Sequence, residues 1–447
     1  MNRVPLLAHA SLDAIVAWRT DGPVPVRRFL AEAVALATTL PPGRNLLNVC
    51  NDRYRFAVGF AAGLLRGMTS LQPASQSAET LRDIHAATPD VCCLCDGEFD
   101  SGDLPRLDFP DLAAVDPARV SEIPAIAADH VAACLFTSGS TGLPMPHPKT
   151  WGRLVTNGRA EAERLGMAVQ PHAIVGTVPV QHAYGFESTF LQALHGGSSF
   201  WSGKPFYPLD IVAALAAVPR PRLLVTTPFH LAALLAAGID LPPVDRVLSA
   251  TAPLSAELAG EAERRFGVPV HEIYGSTESG QIASRRTTAG AAWELFPGIR
   301  LEQQGGATVA SGGHVEGHVP LADVIELLPD GRFVLHGRHA DLVNIAGRRT
   351  SLAYLNHQIG AVAGVVDAAF FLPDDEGSDG ITRLCAFAVA PGLDSRRLLA
   401  ELRRRIAPVF LPRPLVLVDA LPRNATGKLP RARLAALYDE RVRHGGR

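Results

Sequence analysis

The sequence predicts an α/β fold: a large doubly wound N-terminal domain with a β-rich subdomain, then a small α+β C-terminal domain. Three observations carry this. From about residue 26 to 240, amphipathic helical patterns alternate with short apolar runs. Beyond about residue 290 the apolar runs are short, closely spaced and separated by Gly and Asp turns. The tail then returns to helical patterns. With 447 residues, 47% of them apolar and 19% charged, the chain has the length for two domains and a globular composition.

VRRFLAEAVALATTL (26–40) and RYRFAVGFAAGLLRGM (53–68) carry apolar residues at helical spacing, and TSLQPAS follows as strand and loop. ETLRDIHAATP reads as a short helix leading into the strand DVCCLCD. LDIVAALAAV precedes the strand PRLLVTTP, and FHLAALLAAG precedes VDRVLSA. Helix–strand alternation of this kind builds parallel sheets with helices on both faces. AAWELFPGIRLEQQ, LADVIELLPDGRFVLHG and TRLCAFAVAP read as short strands, with PDDEGSDG (373–380) as a solvated hairpin loop. SRRLLAELRRRI and PRARLAALYDERV are the closing helices. The change of style sets a boundary near Gly337 to Asp341, giving domains 1–339 and 340–447.

A net charge of −2 gives no global reason for nucleic acid or an anionic membrane as partner. The N-terminal stretch lacks the continuous apolar run of a signal peptide, and no later stretch is long and uncharged enough to span a bilayer. The expectation is a cytoplasmic protein without membrane insertion. Cys92, Cys93 and Cys95 lack a second ligand cluster and read as small hydrophobes in a buried strand.

Residues 134–151, CLFTSGSTGLPMPHPKTW, raise the functional question. A row of Thr137, Ser138, Gly139, Ser140, Thr141 and Gly142 after a buried strand suits a polyanion: backbone N–H groups approach closely and hydroxyls donate. The spacing is not that of a Walker loop, and a flexible Ser/Gly linker is the alternative reading. The chain has three lysines, Lys149, Lys204 and Lys428, against 39 arginines. A lysine retained against that bias points to a need for a compact ammonium.

TSGSTG resembles the phosphate loop of the adenylate-forming superfamily, which comprises acyl- and aryl-CoA synthetases, luciferases and peptide-synthetase adenylation domains. The family pattern TSGSTGxPKG is matched through Pro144; Met145 stands for the usual lysine, and Lys149 or His147 is left to reach the β- and γ-phosphates past Pro146 and Pro148. SATAPLS (249–255) resembles the adenine-contacting GGAPLS segment, which implies nucleotide contacts from Thr251, Ala252 and Pro253. EIYGSTESG (272–280) matches YGxTE. It implies Tyr274 on the adenine face, Gly275 and Ser276 beside the nucleotide, Thr277 on the α-phosphate, and Glu278 holding Mg²⁺. Asp323, eight residues before Gly331, stands where the family reads TGD, and Arg338 matches the second ribose contact. Ala340 occupies the usual pivot position, with Asp341 adjacent. PRNATGKLPRARL matches PxTxxGKxxR and implies that Lys428, on a mobile C-terminal lid, enters the active site.

The resemblance covers nearly the whole chain and implies one reaction. A carboxylate attacks the α-phosphorus of ATP, pyrophosphate leaves, and the thiol of CoA or of an acyl carrier protein then takes the acyl group. VPVQHAYGFESTF (178–190) corresponds to the family's acyl-pocket segment. It implies His182, Tyr184 and Phe186 as an aromatic wall, with Ser249 and Gly275 opposite, or ordinary packing instead. Glu187 reads as an outward helix-start residue; an inward Glu187 would suit an amino substrate. The PxPHxKxW ending is similar to ligases of aryl-polyene pathways, which implies an aromatic acid. Arg396, Arg397, Arg403 and Arg404 share a helix face fitted to an acidic carrier protein or to CoA phosphates, or simply to solvent. Two rival readings are an amino-acid-activating enzyme and a degenerate nucleotide-binding sensor.

Overall fold

The computed structural model describes residues 2–73, 76–138, 144–338, 342–345, 348–373, 383–424 and 427–443. Two sheets with parallel centres dominate the N-terminal part. The first has six strands, in the order Pro144–Thr150, Val131–Ser138, Thr69–Gln72, Asn45–Asn48, Val91–Cys95, Arg106–Asp108. Its strands run parallel except for the edge strand Pro144–Thr150. The second has eleven strands, with a parallel centre from Val270–Ser276 through Arg246–Ser249, Arg222–Thr226, Ala173–Gly176 and Ser199–Trp201 to Ile15–Arg19.

The apolar runs become strands because sheets covered on both faces need both side-chain rows apolar. Val91–Cys95 shows this: Cys92 and Leu94 join one core, while Val91, Cys93 and Cys95 join another across the sheet. The cysteines are thus packed as small apolar groups. Helix Arg53–Leu65 is buried along nearly its whole length, and Phe56 and Phe60 meet Phe186 and Phe190 edge-on. The two terminal nitrogens of the buried Arg53 guanidinium donate to the carbonyls of Trp201, Gly203, Gly176 and Val178, which ties the helix to strand ends of the larger sheet.

The later segment forms antiparallel strands, including a three-stranded sheet of Ile299–Gln304, Ala307–Gly312 and His318–Leu321. Asp323–Leu327 and Phe333–Arg338 extend the large sheet. Beyond residue 342, Asp367–Phe371, Cys385–Val389 and Leu415–Leu417 form a separate sheet. Alternate residues feed two cores, Phe370, Ala386 and Ala388 on one face, and Ala369, Phe371 and Phe387 on the other. Neither core contains a residue before 343. Residues 339–341, where the sequence sets the domain boundary and the pivot, and most of the PDDEGSDG loop lie outside the described residues. Among the described residues no helix is long and apolar enough to cross a membrane.

Candidate active site

The parallel strands of the large sheet end together. Ala173–Gly176 leads to His182, Arg222–Thr226 to Phe229, Arg246–Ser249 to Thr251–Pro253, and Val270–Ser276 to Glu278. Ligands of open α/β sheets bind outside the carboxyl ends of the strands, and the sequence-predicted residues gather there. Thr251 has φ +79°, the one positive value of a non-glycine residue among the described residues. It stands where the family pattern carries glycine. A β-branched residue held in that region marks a position fixed by its surroundings. Gly275 admits no Cβ, because the Gly280 carbonyl occupies that space.

The ribose candidates are brought together. The Tyr274 hydroxyl donates to Asp323 Oδ2 at 2.7 Å, and strand register sets Asp323 opposite Arg338. The Tyr274 ring packs against Trp293 and Phe333, both at 5.7 Å between centroids, which fixes its plane.

The segment after the glycine-rich row is a strand rather than the proline-reshaped loop expected from sequence. Pro144, Pro146 and Pro148 alternate, so their missing N–H groups all point away from the partner strand, toward the open edge of the sheet. Met145, His147 and Lys149 share the other set of positions. Met145 is exposed. His147 Nε2 lies 2.9 Å from Thr137 Oγ1 and 3.9 Å from Glu278 Oε1. Lys149 turns inward, 4% exposed, and its ammonium donates to the Glu278 carbonyl oxygen at 2.6 Å. Of the two groups left to reach the phosphates, Lys149 is thus engaged with the Glu278 backbone, whereas His147 stands beside Thr137 and the Glu278 carboxylate. Gly139, Ser140, Thr141 and Gly142 lie outside the described residues.

Glu278 lies within a turn tied by mutual hydrogen bonds of Ser276 and Ser279. Burial opposes its ionisation, but hydrogen bonds from Ser276 and its own amide, with the charges of His147 and Lys149, hold the carboxyl below its usual range. A half-exposed, ionised carboxylate suits Mg²⁺, which binds through one or two carboxylates with phosphate and water oxygens. Among the described residues no group of three or more His, Cys, Asp or Glu side chains could hold a metal ion by itself.

His182 caps a short helix, its Nδ1 accepting from the Tyr184 amide at 3.3 Å. Burial, then the nearby charge of Lys428, push the His182 imidazole down to about 3. The loop of the C-terminal lysine lies at the same strand ends, where Gly427 meets Phe229. This loop is braced at the motif's Thr position and beside it: Asn424, standing for that Thr, accepts the Lys428 amide on Oδ1 at 2.9 Å, and Arg423 makes a bidentate pair with Asp367 at 2.7 and 2.6 Å.

Two acyl-wall residues are corrected. Phe186 is fully buried in the core cluster with Phe56, Phe60 and Phe190, so it packs the interior. Tyr184 is also buried, its hydroxyl donating to the Leu248 carbonyl at 3.1 Å. Ser249 Oγ is buried without a hydrogen-bond partner. Glu187 is the third correction: it points inward at 5% exposure, and burial raises its carboxyl to about 8 against the pull of Lys149. Neither Arg423–Asp367 nor Phe229 was legible from sequence, because each pairs with a group distant along the chain.

Residues 56–310 match the family described as AMP-binding enzyme, and residues 355–428 match AMP-binding enzyme C-terminal domain. A 4-coumarate–CoA ligase of Rhodobacter capsulatus is 30% identical over 313 residues, 68% of this chain and 77% of that protein. A 4-chlorobenzoate–CoA ligase of an Arthrobacter species is 26% identical over 345 residues, 67% of this chain and 64% of that protein. The fold is shared with ATP-bound MatB from Rhodopseudomonas palustris, with a TM-score of 0.81 at 20% identity, covering 96% of this chain and 97% of that one. The chain belongs to the AMP-binding enzyme family and is an adenylate-forming acid–thiol ligase.

Proposed function

We propose that this chain activates an aromatic carboxylic acid as its acyl-adenylate, releasing pyrophosphate, and passes the acyl group to the thiol of CoA or an acyl carrier protein. The observation that carries the reading is the contact of Gly427 with Phe229, which sets the Lys428 loop at the strand ends that also lead to His182 and Glu278. Attack of a carboxylate on ATP joins two anions, so the site must supply positive charge where negative charge accumulates. Tyr274, Asp323 and Arg338 hold the nucleoside end. The Thr137–Gly142 row and His147 receive the phosphates, with Thr277 on the α-phosphate. Glu278 would hold Mg²⁺, which when bound offsets phosphate charge. His182, held neutral, keeps Nε2–H as a donor toward the acid, and Lys428 bridges the carboxylate and the α-phosphate.

The aromatic choice is supported by the acids named for the relatives, 4-coumarate and 4-chlorobenzoate. The exposed arginines 396, 397, 403 and 404 support an anionic acceptor, although Arg404 also pairs with Glu401 at 3.1 Å. An amino substrate is disfavoured because Glu187 is buried against Gly280 and its carboxyl is raised toward the neutral form.

Carboxylate-dependent ATP–pyrophosphate exchange across aromatic, fatty and amino acids tests the reading. Exchange with an aromatic acid is expected, falling on the order of 10²–10³-fold in Lys428→Ala. Exchange with amino acids alone refutes the substrate class. ATP binding without exchange for any acid points to a nucleotide sensor.

A further inference from the structure

A buried polar cluster lies under the metal-binding turn, and the reaction as described above does not use it. Lys149 donates to the backbone carbonyl of Glu278 itself, at 2.6 Å. Burial lowers the pKa of its ammonium, and the negative charges of Glu187, Glu316 and Glu278 act from further off to hold it charged. Three residues later the chain is gripped again at Gln281. Beside it, Glu187 Oε1 and Asn157 Nδ2 close over Gly280, where a Cβ would lie 3.2 and 3.4 Å from them. The Gln281 carbonyl accepts from His314 Nε2 at 2.6 Å, and its side chain donates to the fully buried Glu161 at 2.8 Å. Glu316 anchors the strand that carries Lys149, accepting from both the amide and the hydroxyl of Thr150 at 2.7 Å.

Residues 278–281 are therefore held from below at both ends. A buried ammonium is retained only with good partners, since removing one leaves the other charge uncompensated. One of those partners is a carbonyl of the residue whose side chain meets the metal. An arginine could balance charge here, but its planar fork does not match a single carbonyl. That accounts for a lysine in a chain that otherwise uses arginine.

We propose that Lys149 is a positioning residue: its buried ammonium fixes the backbone of Glu278 and so aims that carboxylate at the metal–nucleotide complex. The inference rests on the functional reading above, in which Glu278 takes the metal.

The test compares wild type with Lys149→Met, Glu187→Gln and the double variant, which removes the buried ammonium and the nearby carboxyl together. Two readouts are taken: melting temperature, and Mn²⁺ binding in the presence of ATP followed by electron paramagnetic resonance. Lys149→Met is expected to melt lower and to need at least about tenfold more Mn²⁺, a loss of roughly 1.4 kcal/mol. The double variant is expected to regain most of the melting temperature while keeping the weak Mn²⁺ binding. Recovery of both in the double variant overturns the proposal, since Lys149 would then be only a counter-ion for Glu187. Unchanged Mn²⁺ binding in either Lys149 variant also overturns it. Should Lys149→Met fail to fold, the double variant carries the comparison alone. A wild-type chain that binds ATP but no nucleotide-dependent Mn²⁺ refutes the metal role of Glu278 first, and that failure is distinguishable because it needs no variant.

Discussion

Replacing Gly427 by alanine tests how Lys428 is delivered to the cleft. Gly427 has φ +76°, and a Cβ built on it would lie 2.8 Å from Phe229 Cβ. Carbon atoms in ordinary contact sit about 3.5–4.0 Å apart, so one side must retreat by roughly 1 Å. Phe229 cannot swing aside, because the contact is with its Cβ in the first turn of helix Pro228–Ala236. The loop is also tied, with the Gly427 carbonyl accepting from Arg423 at 2.8 Å and Arg423 paired to Asp367. Two effects separate cleanly. The left-handed backbone costs alanine about 1–2 kcal/mol however the small domain is turned, and lowers the melting temperature. The clash exists only where Gly427 meets Phe229, so it weighs on the arrangement that sets the Lys428 loop at the strand ends. Misplacing a reacting group by about 1 Å can lower a rate by ~10²-fold. Acid-dependent ATP–pyrophosphate exchange is therefore expected to fall about 10- to 100-fold. Phe229→Gly in the same chain should restore much of it, since that change removes the opposing Cβ. Undiminished exchange in Gly427→Ala, or no recovery in the folded double variant, would refute the argument that this contact seats Lys428.

Other consequences are open to measurement. Asp323→Asn weakens the charge-assisted bond from Tyr274 and should raise KM for ATP by about tenfold with kcat little changed; an unchanged KM would separate Asp323 from the nucleotide. Thr251→Gly should raise stability by about 1 kcal/mol by relieving its positive φ, and a lower melting temperature would show that its side-chain contacts outweigh the strain. His9, His195, His230 and His314 are buried, and burial lowers them to about 4, 3, 4 and 4. The unfolded chain takes up protons there below about pH 6.5 while the folded chain does not, so stability falls as pH drops. At pH 5 the loss is about 2 kcal/mol for each histidine. Glu161 and Glu187, raised to about 7 and about 8, oppose this, because their stabilisation is present at low pH and lost as pH rises through those values. Melting temperature should still fall between about pH 6.5 and 5; a flat profile would contradict the neutral state of those histidines.

Much of this protein is legible in its sequence because the signals are local. Period and punctuation mark helices such as Val26–Thr39 and strands such as Val91–Cys95, since both depend on neighbours a few residues away. The ordered segments around Thr137, Tyr274, Glu278, Asp323, Arg338 and Lys428 are also readable, because each forms one turn or strand end that meets one part of the substrate. Three alternating prolines were a legible sign of an edge strand as well, had their spacing been weighed rather than their number.

What the sequence could not decide was direction. Lys149 and His147 differ by one strand repeat, yet one reaches under the Glu278 backbone and the other toward its carboxylate. Glu187 begins a helix, as expected, but packing of that helix against Asn157 and Gly280 turns it into the interior. Phe186 and Tyr184 were drawn into the core by Phe56, Phe60 and the Leu248 carbonyl. In each case the deciding partner lies on a different element, and a side chain's destination is set by the burial and charge its partners offer. Sequence fixes which groups are available; only the packed sheets determine which of them face the substrate and which hold the others in place.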